Sequence, residues 1–324
     1  MTGQVVVVTG GAGFIGGALA RRLLDDGARV RVIDAIVEGS GANRRHVEEL
    51  SPRLDRFVEA DIGTGTGWEP VFDGATQVFH LAAQISHAAS MQDPLGDLSS
   101  NAAGTLRVLE AVRSRAPDAT VVFTSTRQVY GRARSLPVSE GHPVAPPDVN
   151  AVNKLAAEEF CRLYGRVYGT RGAVLRLTNT YGPGMRVCDA RQTFLGYWVR
   201  LALEGGEIPV FGDGSQVRDL TYVDDVVSAL LAAARAGTRE VPTFNVGGEE
   251  HTLLDLVGLL IRIAGKGSHV LKPFPPERAR IDIGSFRADD SALRAATGWR
   301  PQIGVEAGLQ RTVDFFRANG RHYW

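Results

Sequence analysis

Eight residues near the start of the chain carry the first chemical signal. Thr9-Gly-Gly-Ala-Gly-Phe-Ile-Gly16 follows an all-valine run and opens into apolar residues at helical spacing. A strand, a tight glycine turn and a helix N-terminus in that order aim backbone N–H groups at a pyrophosphate. Gly10, Gly13 and Gly16 are the glycines of that turn, and Phe14 and Ile15 begin the helix. Asp34 ends the next strand-like run, 18 residues after Gly16. A carboxylate there accepts both hydroxyls of a ribose and repels a 2′-phosphate. The expected cofactor is NAD rather than NADP. Asp61 ends the following run, where it could accept from an adenine amino group.

Such a turn works at the carboxyl edge of a sheet, so the elements behind it matter. Val5 to Thr9, Val30 to Asp34, Phe57 to Asp61, Val78 to Leu81, Val121 to Ser125 and Ala173 to Leu177 are short β-branched runs. Several are apolar throughout, as in parallel strands covered on both faces. Ile15 to Asp26, Asn101 to Arg115 and Ala151 to Tyr168 lie between them with apolar residues at helical spacing. The alternation predicts an α/β fold with a doubly wound parallel sheet, of the Rossmann type, over residues 1–180. After Tyr181-Gly-Pro-Gly184 the pattern breaks up among Gly and Pro clusters. Residues 181–324 therefore read as a smaller C-terminal α/β substrate lobe, although late segments could return to the first domain. Thr243–Val246 is expected as a strand and Leu253–Ala264 as a helix of that lobe.

Composition narrows the function. Among 324 residues, 36 basic side chains balance 36 acidic ones, which argues against a nucleic-acid or anionic-membrane surface. No apolar run approaches the length of a membrane span, and a soluble, cytoplasmic protein is expected. Cys161 and Cys188 form neither a CxxC nor a Cys/His pattern, so no disulfide and no metal site is expected.

Eight segments, taken together and in order, resemble the extended short-chain dehydrogenases/reductases that modify nucleotide sugars. They are TGGAGFIG at 9–16, Asp61-Ile62, His80-Leu-Ala-Ala-Gln84, Asn101-Ala-Ala-Gly-Thr105, Ser125-Thr-Arg-Gln-Val-Tyr-Gly131, Leu177 to Gly184, Arg218 to Asp225 and Gly298-Trp-Arg-Pro301. The resemblance spans nearly the whole chain. It implies NAD in the first lobe and a nucleoside-diphosphate sugar between the lobes. It adds Ile62, Leu81, Ala82, Ala83, Gln84, Asn101, Thr124 and Lys154 to the cofactor contacts. On the sugar-nucleotide side it implies Asn179, Thr193 and Phe194, with Arg218 on the diphosphate and Arg278 or Arg280 as a second clamp.

The resemblance also locates the reacting centre. Members use a tyrosine base four residues before a lysine, with a hydroxyl nearby. Here Thr126 holds the hydroxyl position and Lys154 the lysine position, but Asn150 stands where the tyrosine belongs. An amide does not titrate near neutrality and cannot be that base. Tyr130, Tyr181, Tyr222 and His87 are other groups that could reach the site. Related 4,6-dehydratases carry Asp-Glu directly after the Thr, whereas this chain has Arg127-Gln128. Arginine pairs carboxylates bidentately, so Arg127, Arg186 and Arg191 point to a uronic acid. The leading expectation is a 4-epimerase acting through a transient 4-keto sugar. A decarboxylase or dehydratase variant, and a catalytically silent NAD and sugar-nucleotide binding protein, are the alternatives. The helices at 101–115 and 151–168 are expected to build a homodimer through Leu106, Leu109, Leu155 and Phe160.

Overall fold

A computed structural model describes residues 2–37, 39–190 and 193–324, apart from the side chains of Glu277 and Arg278. Its strands are β1 (Val5–Thr9), β2 (Arg29–Asp34), β3 (Arg56–Glu59), β4 (Gln77–His80), β5 (Thr120–Thr126), β6 (Arg171–Leu177), β7 (Asn179–Tyr181), β8 (Glu207–Phe211), β9 (Val217–Tyr222), β10 (Thr243–Val246), β11 (Glu249–Thr252) and β12 (Ser268–Lys272). The helices are α1 (Phe14–Asp25), α2 (Arg44–Glu48), α3 (His87–Gln92), α4 (Pro94–Leu98), α5 (Gly104–Arg115), α6 (Val149–Tyr168), α7 (Phe194–Glu204), α8 (Val223–Ala236), α9 (Leu253–Ala264), α10 (Pro276–Ala279), α11 (Ser291–Thr297) and α12 (Val305–Asn319).

Seven parallel strands form the central sheet in the order β10-β6-β5-β4-β1-β2-β3. Val6, Val7 and Val8 are fully buried, because helices cover both faces of β1. Helix α1 turns Leu19, Leu23 and Leu24 inward, and α5 and α6 cover the opposite face with Val108, Val112, Ala157 and Cys161. Asp148 starts α6 by accepting the Ala151 N–H at 2.8 Å, and Gly169 ends it in the left-handed region at φ 76°. The order of strands reverses between β1 and β4, which opens a crevice at their carboxyl ends.

The strand expected in the second lobe, Thr243–Val246, instead pairs parallel with β6 at the edge of the central sheet. Its Phe244 and Val246 face the core shared with α8, so burial rather than chain position decides where it goes. A second core gathers α7, α9 and α12 around β8 and β9, with Trp198, Val199, Leu256, Leu260, Leu309 and Phe316 inside. Strand β9 is central to a small sheet, parallel to β7 and antiparallel to β11. The pairing of β7 with β9 carries Asn179 and Arg218 toward the crevice edge. Both cysteines are free thiols, Cys161 in the core and Cys188 partly exposed. Among the described residues no helix is long and apolar enough to cross a membrane.

Candidate active site

A cavity of about 540 Å³ follows the crevice. At one end lies the glycine turn. Gly10 adopts φ 77°, and a Cβ there would lie 2.6 Å from the Ala82 nitrogen. A Cβ on Gly16 would sit 2.1 Å from the Gly10 carbonyl oxygen, so both positions exclude side chains. Gly13 precedes α1 without any side-chain cap, which leaves the first-turn N–H groups of α1 for an anion. Asp34 lies at the rim of this end, its two oxygens accepting from Ala12 N–H at 2.9 Å and Ile36 N–H at 2.8 Å. Burial raises its pKa against those bonds, so a further pair of hydroxyl donors would be a favourable addition. Asp61 accepts from the Gly63 N–H and the Thr64 hydroxyl, and Ile62, Leu81, Ala82, Ala83 and Gln84 continue the wall. Glycines that leave no room for a Cβ, uncapped helix N–H groups and a carboxylate at ribose distance in sequence fit a dinucleotide.

In the middle of the cavity stand Thr124, Thr126, Asn150 and Lys154. Lys154 is buried and its Nζ donates to the Thr124 carbonyl at 3.0 Å, over the Phe123 ring. Burial pushes its pKa down to about 8, with Asp97 opposing the shift. Thr126 ends β5, and its hydroxyl accepts the Gln128 N–H at 3.2 Å. Asn150 donates its amide to the Gln84 carbonyl at 2.7 Å and to Asp97 Oδ2 at 3.1 Å. Asn101 and Asn153 donate to the other Asp97 oxygen, at 3.0 and 2.8 Å. Three amides thus satisfy one buried carboxylate, and the N–H groups of Asn150 are used in doing so. His87 lines the same wall with its Nδ1 3.0 Å from Asp148 Oδ2.

The far end is cationic. Arg218, 7% exposed, is fixed by the carbonyls of Val217 and Gly284, by Gln216 Oε1 and by Asp282 at 3.4 Å. Arg127 lies over Phe286, 5.6 Å from the ring centroid, and its Nη1 is buried without a hydrogen-bond partner. Its guanidinium makes no hydrogen bond or ion pair among the described residues. Burial and the nearby Arg218 charge push its pKa down to about 10. Asn179, whose amide donates to the Asp219 carbonyl at 2.9 Å, Thr193 and Phe194 complete this wall. Thr193 caps α7, and Phe194 also packs edge to face on Trp198 at 4.8 Å.

Several expected residues stand elsewhere. Asn101 does not line the cavity, because its side chain turns inward to Gln84 and Asp97. Tyr130, Tyr181 and Tyr222 are buried in cores; the Tyr130 hydroxyl donates to Asn245 at 2.7 Å, and none of the three reaches the cavity. Arg186 is paired bidentately with Asp189. Arg191 and the side chain of Arg278 lie outside the described residues, and Arg280 is not part of the lining. Leu109 is core, and Leu106, Leu155 and Phe160 pack against cores. The apolar side chains that α6 exposes are Val152, Leu163, Val167 and Tyr168.

A doubly wound sheet with a glycine turn, a strand-end carboxylate and a cavity across its switch point defines a dinucleotide-binding α/β protein. The chain belongs to the NAD dependent epimerase/dehydratase family, whose pattern matches residues 6–247. NAD is accordingly its cofactor. A UDP-glucose 4-epimerase of Mycolicibacterium smegmatis is 36% identical over 317 residues, 96% of this chain and 98% of the relative. UDP-glucuronic acid decarboxylase 1 of Danio rerio is 31% identical over 323 residues, 98% of this chain and 73% of the relative. The crystal structure of a UDP-glucose 4-epimerase with UDP-glucose from Thermotoga maritima superposes with a TM-score of 0.88 at 32% identity, covering 98% and 99% of the two chains.

Proposed function

We propose that this chain is an NAD-dependent enzyme acting on a nucleoside-diphosphate sugar, and that it is a 4-epimerase working through a transient 4-keto sugar. The observation that carries the reading is a cavity lined at once by the glycine turn and Asp34, by Thr126 and Lys154, and by Arg127 and Arg218. Asp34 would hold the adenosine ribose, the first turn of α1 the pyrophosphate, and Lys154 the nicotinamide ribose. When bound, NAD supplies the acceptor for the hydrogen that leaves the sugar carbon. Arg218 would grip the diphosphate, and its four protein contacts hold the guanidinium ready for it. Thr126 would orient the sugar hydroxyl. Asn150 takes the place of the family's tyrosine and holds the wall together instead of moving a proton.

A second reading, decarboxylation of a uronic acid, is favoured by Arg127. A buried guanidinium nitrogen without a partner, as Arg127 Nη1 is, is costly unless an anion completes it, and arginine takes a carboxylate with two parallel bonds. Both readings share the sugar-nucleotide substrate. A homodimer through the exposed apolar side chains of α6 belongs to the same proposal. Calorimetry with UDP-, dTDP-, GDP- and CDP-sugars tests the substrate class. Micromolar binding of at least one sugar nucleotide is expected, and a protein that binds none of them contradicts the reading.

A further inference from the structure

Oxidising a carbon that bears a hydroxyl requires a group that takes the O–H proton. Among the described residues no tyrosine and no cysteine lines the cavity, and Asn150 does not titrate. The proton-accepting side chains on its walls are Asp34, Asp61, Lys154 and His87. Asp34 and Asp61 stand at the glycine-turn end with their oxygens already taken by N–H and O–H donors. Lys154 commits its Nζ to the Thr124 carbonyl.

His87 is differently placed. Its Nδ1 lies 3.0 Å from Asp148 Oδ2, whose side chain is completely buried, while the ring itself is 32% exposed. Its Nε2 has no protein partner among the described residues. The ring N–H does not point squarely at the carboxylate, a misalignment that substrate binding commonly removes. Asp148 is itself fixed by the Ala151 N–H at 2.8 Å and the Gln128 amide at 3.1 Å. Burial drives the Asp148 carboxyl up, but the hydrogen bond and charge of His87, with those two donors, bring it below its ordinary range. Because Asp148 caps α6, its carboxylate stands at the start of the helix that carries Asn150 and Lys154.

We infer that His87, oriented by Asp148, is the general base of this site. The inference rests on the sugar-nucleotide reading above. The sugar O–H bond breaks and its proton passes to Nε2. The electron pair left on oxygen becomes the second carbon–oxygen bond as hydrogen leaves the carbon with its bonding pair for NAD, the family's oxidant. On the return of that hydrogen, Nε2 gives the proton back. Asp148 is a positioning residue that fixes the ring and balances the imidazolium charge.

The test uses the full-length, NAD-loaded protein with UDP-glucose and UDP-glucuronate as probes. His87→Gln should lower kcat by about 100-fold or more while the calorimetric Kd for the converted sugar nucleotide stays within about twofold. Asp148→Asn keeps a capping side chain and should lower kcat about tenfold without raising KM. Adding Asn150→Tyr to His87→Gln, which restores a titrating side chain beside Lys154, should recover part of the lost rate. Diethyl pyrocarbonate labelling of His87, located by mass spectrometry, should be blocked by the bound sugar nucleotide. A His87→Gln protein that keeps more than a third of the wild-type kcat overturns the dyad, as does labelling that bound sugar nucleotide leaves unchanged. A wild-type protein that neither binds nor converts either probe overturns the sugar-nucleotide reading and the dyad together.

Discussion

At the scale of single residues, charge that is buried without a partner is the most informative feature. Arg127 has its Nη1 buried and unpaired beside Arg218, and an anionic sugar substituent would complete it. Arg127→Gln is expected to weaken UDP-glucuronate binding by tenfold or more, on the scale of a lost charge-assisted pair, and to leave UDP binding within about twofold. Equal losses for both ligands in calorimetry would make Arg127 a phosphate clamp instead. At the opposite end, Asp34→Ala removes both a hydroxyl acceptor and a repulsive charge, so the ratio of NADP to NAD affinity should rise by about tenfold. An unchanged ratio would contradict the ribose role of Asp34. These two residues differ in how they could be found. Asp34 was legible because its partner motif lies 18 residues away on the same βαβ unit. The surroundings of Arg127 were not, since Phe286 and Arg218 come from distant segments. Asp97 gave no signal at all, because two of its three amide donors, Asn150 and Asn153, reach it only after α6 has packed on α4.

At the scale of elements, the sequence marks what is local and misses what is assembled. Strands β1 and β10 and helix α9 have the expected boundaries, because a valine run, a short run holding Phe244 and Val246, and a capped amphipathic stretch each carry their own signal. Sequence could not assign β10 to its sheet, since a strand buried on both faces reads the same in either lobe. The glycine turn is the element most sensitive to change. Gly16→Ala puts a methyl group 2.1 Å from a backbone oxygen, so NAD binding should be lost or the thermal midpoint should fall by several degrees. A variant with wild-type affinity and midpoint would show that the turn has room. The start of α6 allows a finer comparison by urea denaturation. Asp148→Ala should cost about 1–2 kcal/mol, through the lost cap and the loss of one of the two bonds of the Gln128 amide, which keeps the Ile281 carbonyl. Asp148→Asn keeps the cap but puts an NH2 where Oδ2 accepted from Gln128, so its cost should fall between wild type and Asp148→Ala.

At the scale of the whole molecule, one core packs on the central sheet and a second around β8 and β9, and buried charges make stability depend on pH. Burial pushes Asp219 up to about 6, against the pull of Arg127 and the Ala288 N–H. A carboxyl whose pKa is raised on folding holds more protons folded than unfolded between 3.8 and about 6, so its contribution to stability grows as pH falls through that window. Asp219→Asn should therefore flatten the stability profile there, with its advantage over wild type largest at pH 7 and smallest near pH 4; parallel denaturation curves would contradict this. The exposed Val152, Leu163 and Val167 of α6 should pair two copies, so light scattering is expected to give a dimer mass that Val167→Glu reduces. The central claim is C4 epimerisation of a sugar nucleotide, and proton NMR of UDP-glucose and UDP-glucuronate incubated with the NAD-loaded protein in D2O tests it most directly. The account predicts that one of them inverts at C4 while the hydrogen on that carbon stays unlabelled; recovery of both sugars with their original configuration would contradict it.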